Sequence, residues 1–292
     1  MDTRFEFGKN WKRFLKSIDA ERVDLAKNSL RSMLGFSSLA GKSFIDVGSG
    51  SGLFSLAARQ LGASVRSFDY DLQAVACTES LRRQYFNNDQ DWIIEPGSIL
   101  DKDYIENLGS YDIVYSWGVL HHTGAMWDAL EKVSCLVKNN GLLLIAIYND
   151  QGTWSGRWRR LKLIYNKLPV ILRWPYMLLI MSVAEFRPFM TSILRLQLLT
   201  YIRGWTRYAS LSGRGMSRWR DAVDWMGGYP FEVAKPEEIF RFYRDKGFRL
   251  VELRTCGSSS GCNQYTFVRD AGTFMARSMS QAHVSADSRL AS

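Results

Sequence analysis

The 292-residue sequence predicts an α/β fold with a mostly parallel sheet of seven strands. Three observations support this fold class. Short apolar runs alternate with helical stretches over residues 41–150, a glycine-rich turn joins the first run to the first helix, and two further strands are predicted near residue 250. The alternation stops over residues 151–230, a stretch too long for a structureless connection, so we predict a helical insertion after the fifth strand.

Each element has its own signal in the sequence. Apolar runs of four to seven residues between turn residues predict buried strands, whereas longer stretches with apolar residues at helical spacing predict helices. The predicted strands are 43–47, 65–69, 92–95, 111–117, 142–148, 248–254 and 264–268. The predicted helices of the sheet region are 53–61, 72–85, 103–108, 126–137 and 236–246.

These elements divide the chain into five regions. They are an N-terminal helical segment (1–40), a ligand-binding α/β region (41–150), a basic and aromatic helical insertion (151–230), a helix and hairpin that complete the sheet (231–270) and a tail (271–292). Because the tail combines many small and polar residues with few apolar ones, we predict that it is disordered.

Composition narrows the class and location of the protein. The first residues carry charges where a secretory signal needs an apolar run, and no uninterrupted apolar stretch reaches 18 residues, so we expect a cytoplasmic protein. The four cysteines form no CxxC pair and no histidine lies at ligand spacing from them. We therefore expect reduced thiols and no metal site.

The net charge of +9 is concentrated in the insertion. Residues 152–220 hold thirteen Lys and Arg against a single acid, Glu185, and five of the ten tryptophans. The rest of the chain is therefore slightly acidic, and the basic character belongs to one segment.

The turn at residues 46–52 carries the strongest functional signal. Three alternate glycines, Gly48, Gly50 and Gly52, follow Asp46 between a strand and a helix, with Ser49 among them. A chain that turns sharply there lets a ligand approach its backbone. Asp46 is placed either to orient the turn or to meet a cationic amino group. A purely structural tight turn is the alternative.

Dinucleotide-binding proteins require a different glycine spacing, in which a third small residue packs the helix on the strand. Leu53 occupies that position here. The acid and glycines instead resemble motif I of class I S-adenosylmethionine-dependent methyltransferases, which have a Rossmann-like fold. Asp69 ends the next strand, where a carboxylate can accept hydrogen bonds from both ribose hydroxyls, although NAD enzymes use the same device and a helix N-cap is a further alternative.

The resemblance covers most of residues 41–150 and implies S-adenosylmethionine as cofactor. It places Tyr70 against the adenine or ribose, the loop with Ser98 and Ile99 at the adenine, and Trp117 in the cofactor site. Ser98 stands where the family commonly has an acid, so we expect adenine to be held through backbone groups and the Ser98 hydroxyl. Tyr70 could equally be an ordinary edge aromatic.

The segment after the fourth strand, Ser116-Trp117-Gly118-Val119-Leu120-His121-His122, resembles small-molecule and quinone-type O-methyltransferases. A histidine titrates near neutral pH and can remove a hydroxyl proton. Adjacent residues point in different directions, so we expect His121 or His122, with the second favoured, to be the catalytic base. A structural role for both is the alternative.

Three residues are predicted to line the acceptor site from their positions in the chain alone. Tyr148 and Asn149 end the fifth strand, where open α/β sheets bind ligands, and Tyr229 lies in the turn that returns from the insertion. The leading function is methyl transfer to a small or lipid-linked acceptor, with oxygen favoured as the atom that is methylated. An RNA-modifying or RNA-binding protein, using the basic insertion to grip phosphates, is the alternative, and a cofactor-binding protein without catalysis is a third.

The insertion permits two interpretations. Arginines and tryptophans beside the apolar run 174–184 suit a helix that lies at an anionic membrane surface, since this run of residues is too short to cross a bilayer. This location would be peripheral, at the inner membrane face. The other interpretation is a lid packed on the catalytic domain, with the arginines solvated or paired to its acids.

Overall fold

The computed structural model describes residues 18–87, 89–206, 218–257 and 261–270. The tail predicted at 271–292 lies outside them, as do parts of the N-terminal segment and of the insertion. The helices are α1 (Ala20–Leu34), α2 (Leu53–Gln60), α3 (Leu72–Tyr85), α4 (Lys102–Leu108), α5 (Met126–Cys135), α6 (Thr153–Lys167), α7 (Val170–Leu194), α8 (Leu198–Thr206), α9 (Arg218–Gly227) and α10 (Pro236–Asp245). The strands are β1 (Ser43–Val47), β2 (Ser64–Asp69), β3 (Trp92–Pro96), β4 (Tyr111–Trp117), β5 (Val137–Tyr148), β6 (Phe248–Arg254) and β7 (Cys262–Arg269).

These strands form one seven-stranded sheet in the order β3-β2-β1-β4-β5-β7-β6. The first five strands pair in parallel, and β7 runs antiparallel to both β5 and β6. The predicted Rossmann-like, mostly parallel sheet with a terminal hairpin is confirmed. The order reverses between β1 and β4, and open α/β sheets bind ligands beyond the carboxyl ends of the strands at such a point.

Both faces of the sheet are covered, which explains why its central strands read as nearly continuous apolar runs. On one face α1, α2 and α3 bury residues such as Leu30 and Leu56 against Phe44 of β1. On the other face α4, α5 and α10 pack Leu130 and Ile239 against the sheet. The two buried layers fix the sheet, so the loops at its carboxyl edge are held on a rigid base.

Strand β5 begins five residues earlier than the sequence predicts. Tyr111 pairs with Val137, and a register shift then separates this pair from the Ile113–Leu142 pair. Asn140 adopts a left-handed backbone conformation with φ of 61°. Helix and strand propensities of the sequence do not predict such a conformation. The irregular start explains why the apolar pattern appears only from Leu142.

The described part of the insertion is helical, as predicted, and has a small core of its own. Met177 of α7 is buried with Tyr165 of α6 and Met226 of α9. Helix α7 runs for 25 residues and is long and apolar enough to cross a membrane by length and composition alone. The apolar run 174–184, predicted to be too short to span a bilayer, forms only part of this helix, which continues through Pro188 to Leu194.

Candidate active site

The site residues predicted from the sequence lie together at the carboxyl edge of the sheet. The glycine turn follows β1, Asp69 ends β2, the Ser98 loop follows β3, and the two histidines follow β4. Two sets of groups can be distinguished there: a cofactor side around β1 to β3, and an acceptor side around β4 and β5.

The glycine turn makes contacts that a side chain would prevent. Gly48 has a φ of 81°, and a Cβ atom there would lie 2.5 Å from a methyl carbon of Val119. Gly52 has a φ of 79°, and its Cβ would lie 2.8 Å from Thr78 of α3. Gly52 thus serves close helix packing, the task that a dinucleotide-binding turn gives to a later residue. Because Gly48 has no side chain, Val119 in the loop after β4 can pack against the turn.

Asp69 is tied to the glycine turn. Its two carboxylate oxygens accept hydrogen bonds from the backbone N–H groups of Gly50 and Asp71, each at 2.9 Å. Burial raises the pKa of the Asp69 carboxyl, while these two N–H groups oppose that change. A carboxylate oxygen has two lone pairs, so Asp69 can accept further hydrogen bonds from a pair of hydroxyls.

Asp46 lies behind the turn and not at its surface. Its Oδ2 atom accepts a hydrogen bond of 2.5 Å from the hydroxyl of Ser55 in α2, and Ser55 in turn accepts one from Ser67. Burial raises the pKa of Asp46 to about 7. Of the two roles predicted for this acid, the contacts support orientation of the turn, because the carboxylate connects β1 to the helix that follows.

The remaining cofactor-side residues differ in how far their side chains are accessible to a ligand. The side chain of Tyr70 is 61% exposed beside Asp69, a position open to stacking on a bound ring. The Ser98 hydroxyl accepts a hydrogen bond from the Leu100 N–H at 3.2 Å, so it also shapes its own loop. Ile99 is buried in the core, so this part of the prediction holds at most for its backbone.

Trp117 belongs to an aromatic stack. Its ring lies parallel to that of Tyr115, with 5.7 Å between their centroids, and 6.5 Å from that of Phe54 in α2. This arrangement ties the end of β4 to the helix that follows the glycine turn. The side chain therefore braces the cofactor side from within the sheet layer.

The cofactor side fits S-adenosylmethionine. A turn without side chains at Gly48 and Gly50 lets a ligand approach its backbone, and a carboxylate at the end of β2 suits a ribose. Gly48, Ser49, Gly50, Asp69 and Tyr70 would hold it, with Asp46 and Gly52 shaping the turn from behind and the Ser98 loop beside it.

His122 is oriented by the segment that returns from the insertion. Its Nδ1 atom lies 2.7 Å from the carbonyl oxygen of Pro230. A carbonyl only accepts, so Nδ1 carries the proton, and in the neutral ring Nε2 then carries the lone pair. This tautomer is the one that a general base requires, and the backbone contact fixes it.

His121 occupies a different environment. Its side chain is fully buried, and neither ring nitrogen has a hydrogen-bond partner in the described part of the chain. Burial lowers the pKa of His121 well below its usual value, and the adjacent His122 lowers it further. The ring is therefore neutral, and it packs 4.0 Å from the Tyr148 ring, measured between centroids.

The segment 229–234, which returns from the insertion, packs against the histidine loop and the end of β5. The Glu232 carboxylate accepts hydrogen bonds from the backbone N–H of Met126 at the start of α5, and the backbone N–H of Glu232 donates to the His121 carbonyl oxygen. The Ala234 N–H donates to the carbonyl oxygen of Tyr148. Tyr229 begins this segment and is partly buried, and the acceptor contacts of Tyr148 and Tyr229 stay predictions.

Asn149 has a structural role besides its predicted acceptor contact. Its side-chain amide donates to the Gly257 carbonyl at 2.9 Å, and its oxygen accepts from Asn263 at 3.0 Å. These bonds brace the β6–β7 connection. Position at a strand end does not reveal this role, and the acceptor contact stays a prediction.

Lys162 of α6 is a residue that sequence reasoning missed. It is fully buried, and its ammonium group donates to the carbonyl oxygen of Trp225 in α9. The Nζ atom also lies 4.7 Å from the Phe231 ring centroid and 5.8 Å from that of Tyr148. In the sequence it is one of many basic residues, and only the packing of α6 on α9 reveals its burial.

Burial lowers the pKa of Lys162 to about 7, from an ordinary value near 10.5. The unfolded chain then binds more protons than the folded one between pH 7 and 10.5, so stability from this residue rises with pH across that window and is lost below it. We expect wild type to gain about 2 kcal/mol of unfolding free energy relative to Lys162→Met between pH 7 and 9.

Urea denaturation of both proteins at the two pH values measures this difference, and other titrating groups cancel because both proteins share them. Parallel pH dependence of the two proteins would show that the ammonium remains charged when folded.

The region that carries this site resembles known proteins. Residues 45–143 match the methyltransferase domain family. No curated protein matches the chain in sequence. Among solved structures, magnesium protoporphyrin IX methyltransferase from Synechocystis PCC 6803 with bound SAH has a TM-score of 0.51 and 15% identity, and the alignment covers 85% of this chain and 83% of that one.

An O-methyltransferase family protein from Burkholderia thailandensis is also similar. It has a TM-score of 0.51 and 13% identity, over 86% of this chain and 57% of its own. At such identities the likeness establishes the fold, and it agrees with the sheet order and with the family match to residues 45–143.

Proposed function

We propose that this chain, which carries a methyltransferase domain over residues 45–143, transfers a methyl group from S-adenosylmethionine to a hydroxyl oxygen of a small or lipid-linked acceptor. The single observation that carries this proposal is the Nδ1 contact of His122 with the Pro230 carbonyl. It holds the imidazole in the tautomer that can accept a hydroxyl proton on Nε2, at the edge of the sheet where acceptors bind.

Bound S-adenosylmethionine supplies an electrophilic methyl group on a sulfonium centre. The glycine turn and Asp69 orient the nucleoside, and Tyr148 with Phe231 forms an apolar wall on the acceptor side, their centroids 5.3 Å apart. His122 takes the hydroxyl proton as the acceptor oxygen attacks. The buried, neutral His121 holds the His122 ring from behind, with 4.5 Å between centroids.

Proton removal accounts for only part of the expected rate. General-base catalysis contributes roughly 10²–10⁴-fold, whereas holding two reactants in line can contribute more. The rigid edge of the sheet supplies the alignment, since the turn, the Asp69 carboxylate and the returning segment are joined to it by backbone hydrogen bonds.

The RNA alternative gains no support from the comparisons or from the insertion. Thirteen basic residues could contact phosphates, but an RNA surface leaves the exposed apolar face of α7 without a role. A lipid-linked acceptor would explain both the basic residues of the insertion and the exposed apolar face of α7.

Incubation with radioactive S-adenosylmethionine and separate lipid, quinone, glycan and RNA fractions from cells tests the acceptor class. We expect label in the lipid or quinone fraction, and none from heat-inactivated protein. Label that appears only in RNA, and is released by ribonuclease, would overturn the proposal.

A further inference from the structure

Helix α7 is apolar yet lies largely outside any protein core. The helix has 25 residues, and only 11% of its most apolar 18-residue stretch is buried. Met177 is the one residue of this helix that is buried. Apolar surface of this extent in a folded protein marks an interaction site.

One side of α7 is fixed by the rest of the insertion. The Tyr176 hydroxyl donates to the Leu161 carbonyl of α6 at 3.2 Å, and the Arg173 guanidinium donates to the carbonyls of Asn166 and Leu168, each at 3.1 Å. Trp174 packs on Trp219 of α9, with 5.9 Å between centroids. These contacts set which face of α7 turns outward.

The outward face is a continuous stripe. Residues three or four apart lie on the same side of a helix, and the exposed apolar residues follow that spacing. Ile171 is 83% exposed, Val183 69% and Phe186 63%. The stripe includes Leu179, Met190 and Leu194 and continues onto α8 through Leu199. We call this surface the α7–α8 stripe.

The charged side chains of residues 152–220 are almost all basic. Glu185 is the single acid in that range, and it pairs with Arg218 at 2.5 Å and accepts a hydrogen bond from the Tyr201 hydroxyl at 2.8 Å. Among the thirteen basic residues, Arg157 lies over the Trp154 ring at 4.5 Å. Cations and tryptophans beside an exposed apolar face match the interface of an anionic bilayer.

We propose that the α7–α8 stripe docks the enzyme on an anionic membrane surface, with α7 lying along the interface. Crossing the bilayer would bring α6, which packs against α7 and carries Arg159, Arg160 and Lys167, into hydrocarbon. Lying in the plane lets the stripe enter the lipid while the basic residues meet the headgroups. A lid packed on the catalytic domain would bury the stripe, whereas its residues are exposed.

Docking would also bring an acceptor held in the membrane close to the active site. Helix α6 supports α7 on one side and places Lys162 against Tyr148 on the other. A lipid-linked acceptor held in the membrane would thus lie one helix layer from the site. This last step rests on the proposed O-methylation, whereas docking itself does not.

Co-sedimentation with vesicles tests docking without any acceptor. The probes are phosphatidylcholine vesicles with and without phosphatidylglycerol, at low and high salt. We expect binding to the anionic vesicles that weakens in high salt. We expect a loss of about tenfold or more in the double variant Val183→Glu, Phe186→Glu, because two apolar side chains that would enter the lipid are replaced by charged ones.

Val251→Glu is the matched control, since Val251 is 54% exposed on β6, far along the chain from the stripe. It should bind vesicles like wild type, and all variants should keep their affinity for S-adenosylmethionine. No sedimentation with anionic vesicles at low salt would overturn the proposal. So would a dimer in light scattering that dissociates in the Val183→Glu, Phe186→Glu protein and binds no vesicles.

Discussion

Replacing Asp69 with Ala is expected to weaken S-adenosylmethionine binding by about 2–4 kcal/mol, roughly 30- to 900-fold in Kd. The carboxylate sits where the ribose is expected, and it also accepts the Gly50 N–H that shapes the turn. Isothermal titration calorimetry measures the loss directly. Circular dichroism should show a folded protein, because the sheet does not depend on this side chain.

Asp71→Ala serves as the control for Asp69→Ala. Asp71 lies two residues away and caps α3 by accepting the Gln73 N–H at 2.8 Å, so its loss should cost helix stability and leave cofactor affinity near wild type. Equal affinity in wild type and a folded Asp69→Ala protein would reject the cofactor site proposed here.

His122→Ala is expected to lower kcat by roughly 10²-fold with cofactor affinity unchanged. The reason is that Nε2 of this ring is the proton acceptor, and the Pro230 contact that fixes the tautomer is lost with the ring. Single-turnover assays with saturating S-adenosylmethionine and the labelled fraction as acceptor separate this effect on chemistry from an effect on binding.

His121→Ala gives the contrasting result. Its ring is fully buried, so truncation leaves a cavity and should lower the unfolding free energy more than it lowers kcat. Near-normal kcat in both variants would show that alignment of the acceptor with the methyl group, and not proton removal by a histidine, accounts for the catalysed rate. That result would fit an acceptor whose hydroxyl ionises without a base.

The sequence predicts the sheet and the cofactor side well because both depend on local signals. Alternating apolar runs reflect the burial of β1 and β4 on two faces, and the glycines of the turn are required by positive φ and by the approach of Val119. The spacing from Asp46 to Asp69 is fixed by one strand–helix–strand unit, so a local motif suffices to locate both acids.

The acceptor side is less predictable because its contacts join distant parts of the chain. Lys162 becomes buried only when α6 meets α9, and His122 is oriented by Pro230, which lies beyond the insertion. Asn149 is engaged by residues near the β6–β7 connection, and its partner Asn263 carries no motif. Helix α7 is longer than its apolar run because the charged residues and prolines that interrupt the apolar pattern do not end the helix.

The most direct test of methyl transfer to oxygen uses S-adenosylmethionine with a carbon-13 label in its methyl group. After turnover with the acceptor fraction, the carbon-13 chemical shift of the product identifies the atom that carries the methyl. We predict a single resonance in the range of O-methyl carbons, absent with the Asp69→Ala protein. A resonance in the N-methyl or C-methyl range, or no transfer to any fraction, would contradict the proposal.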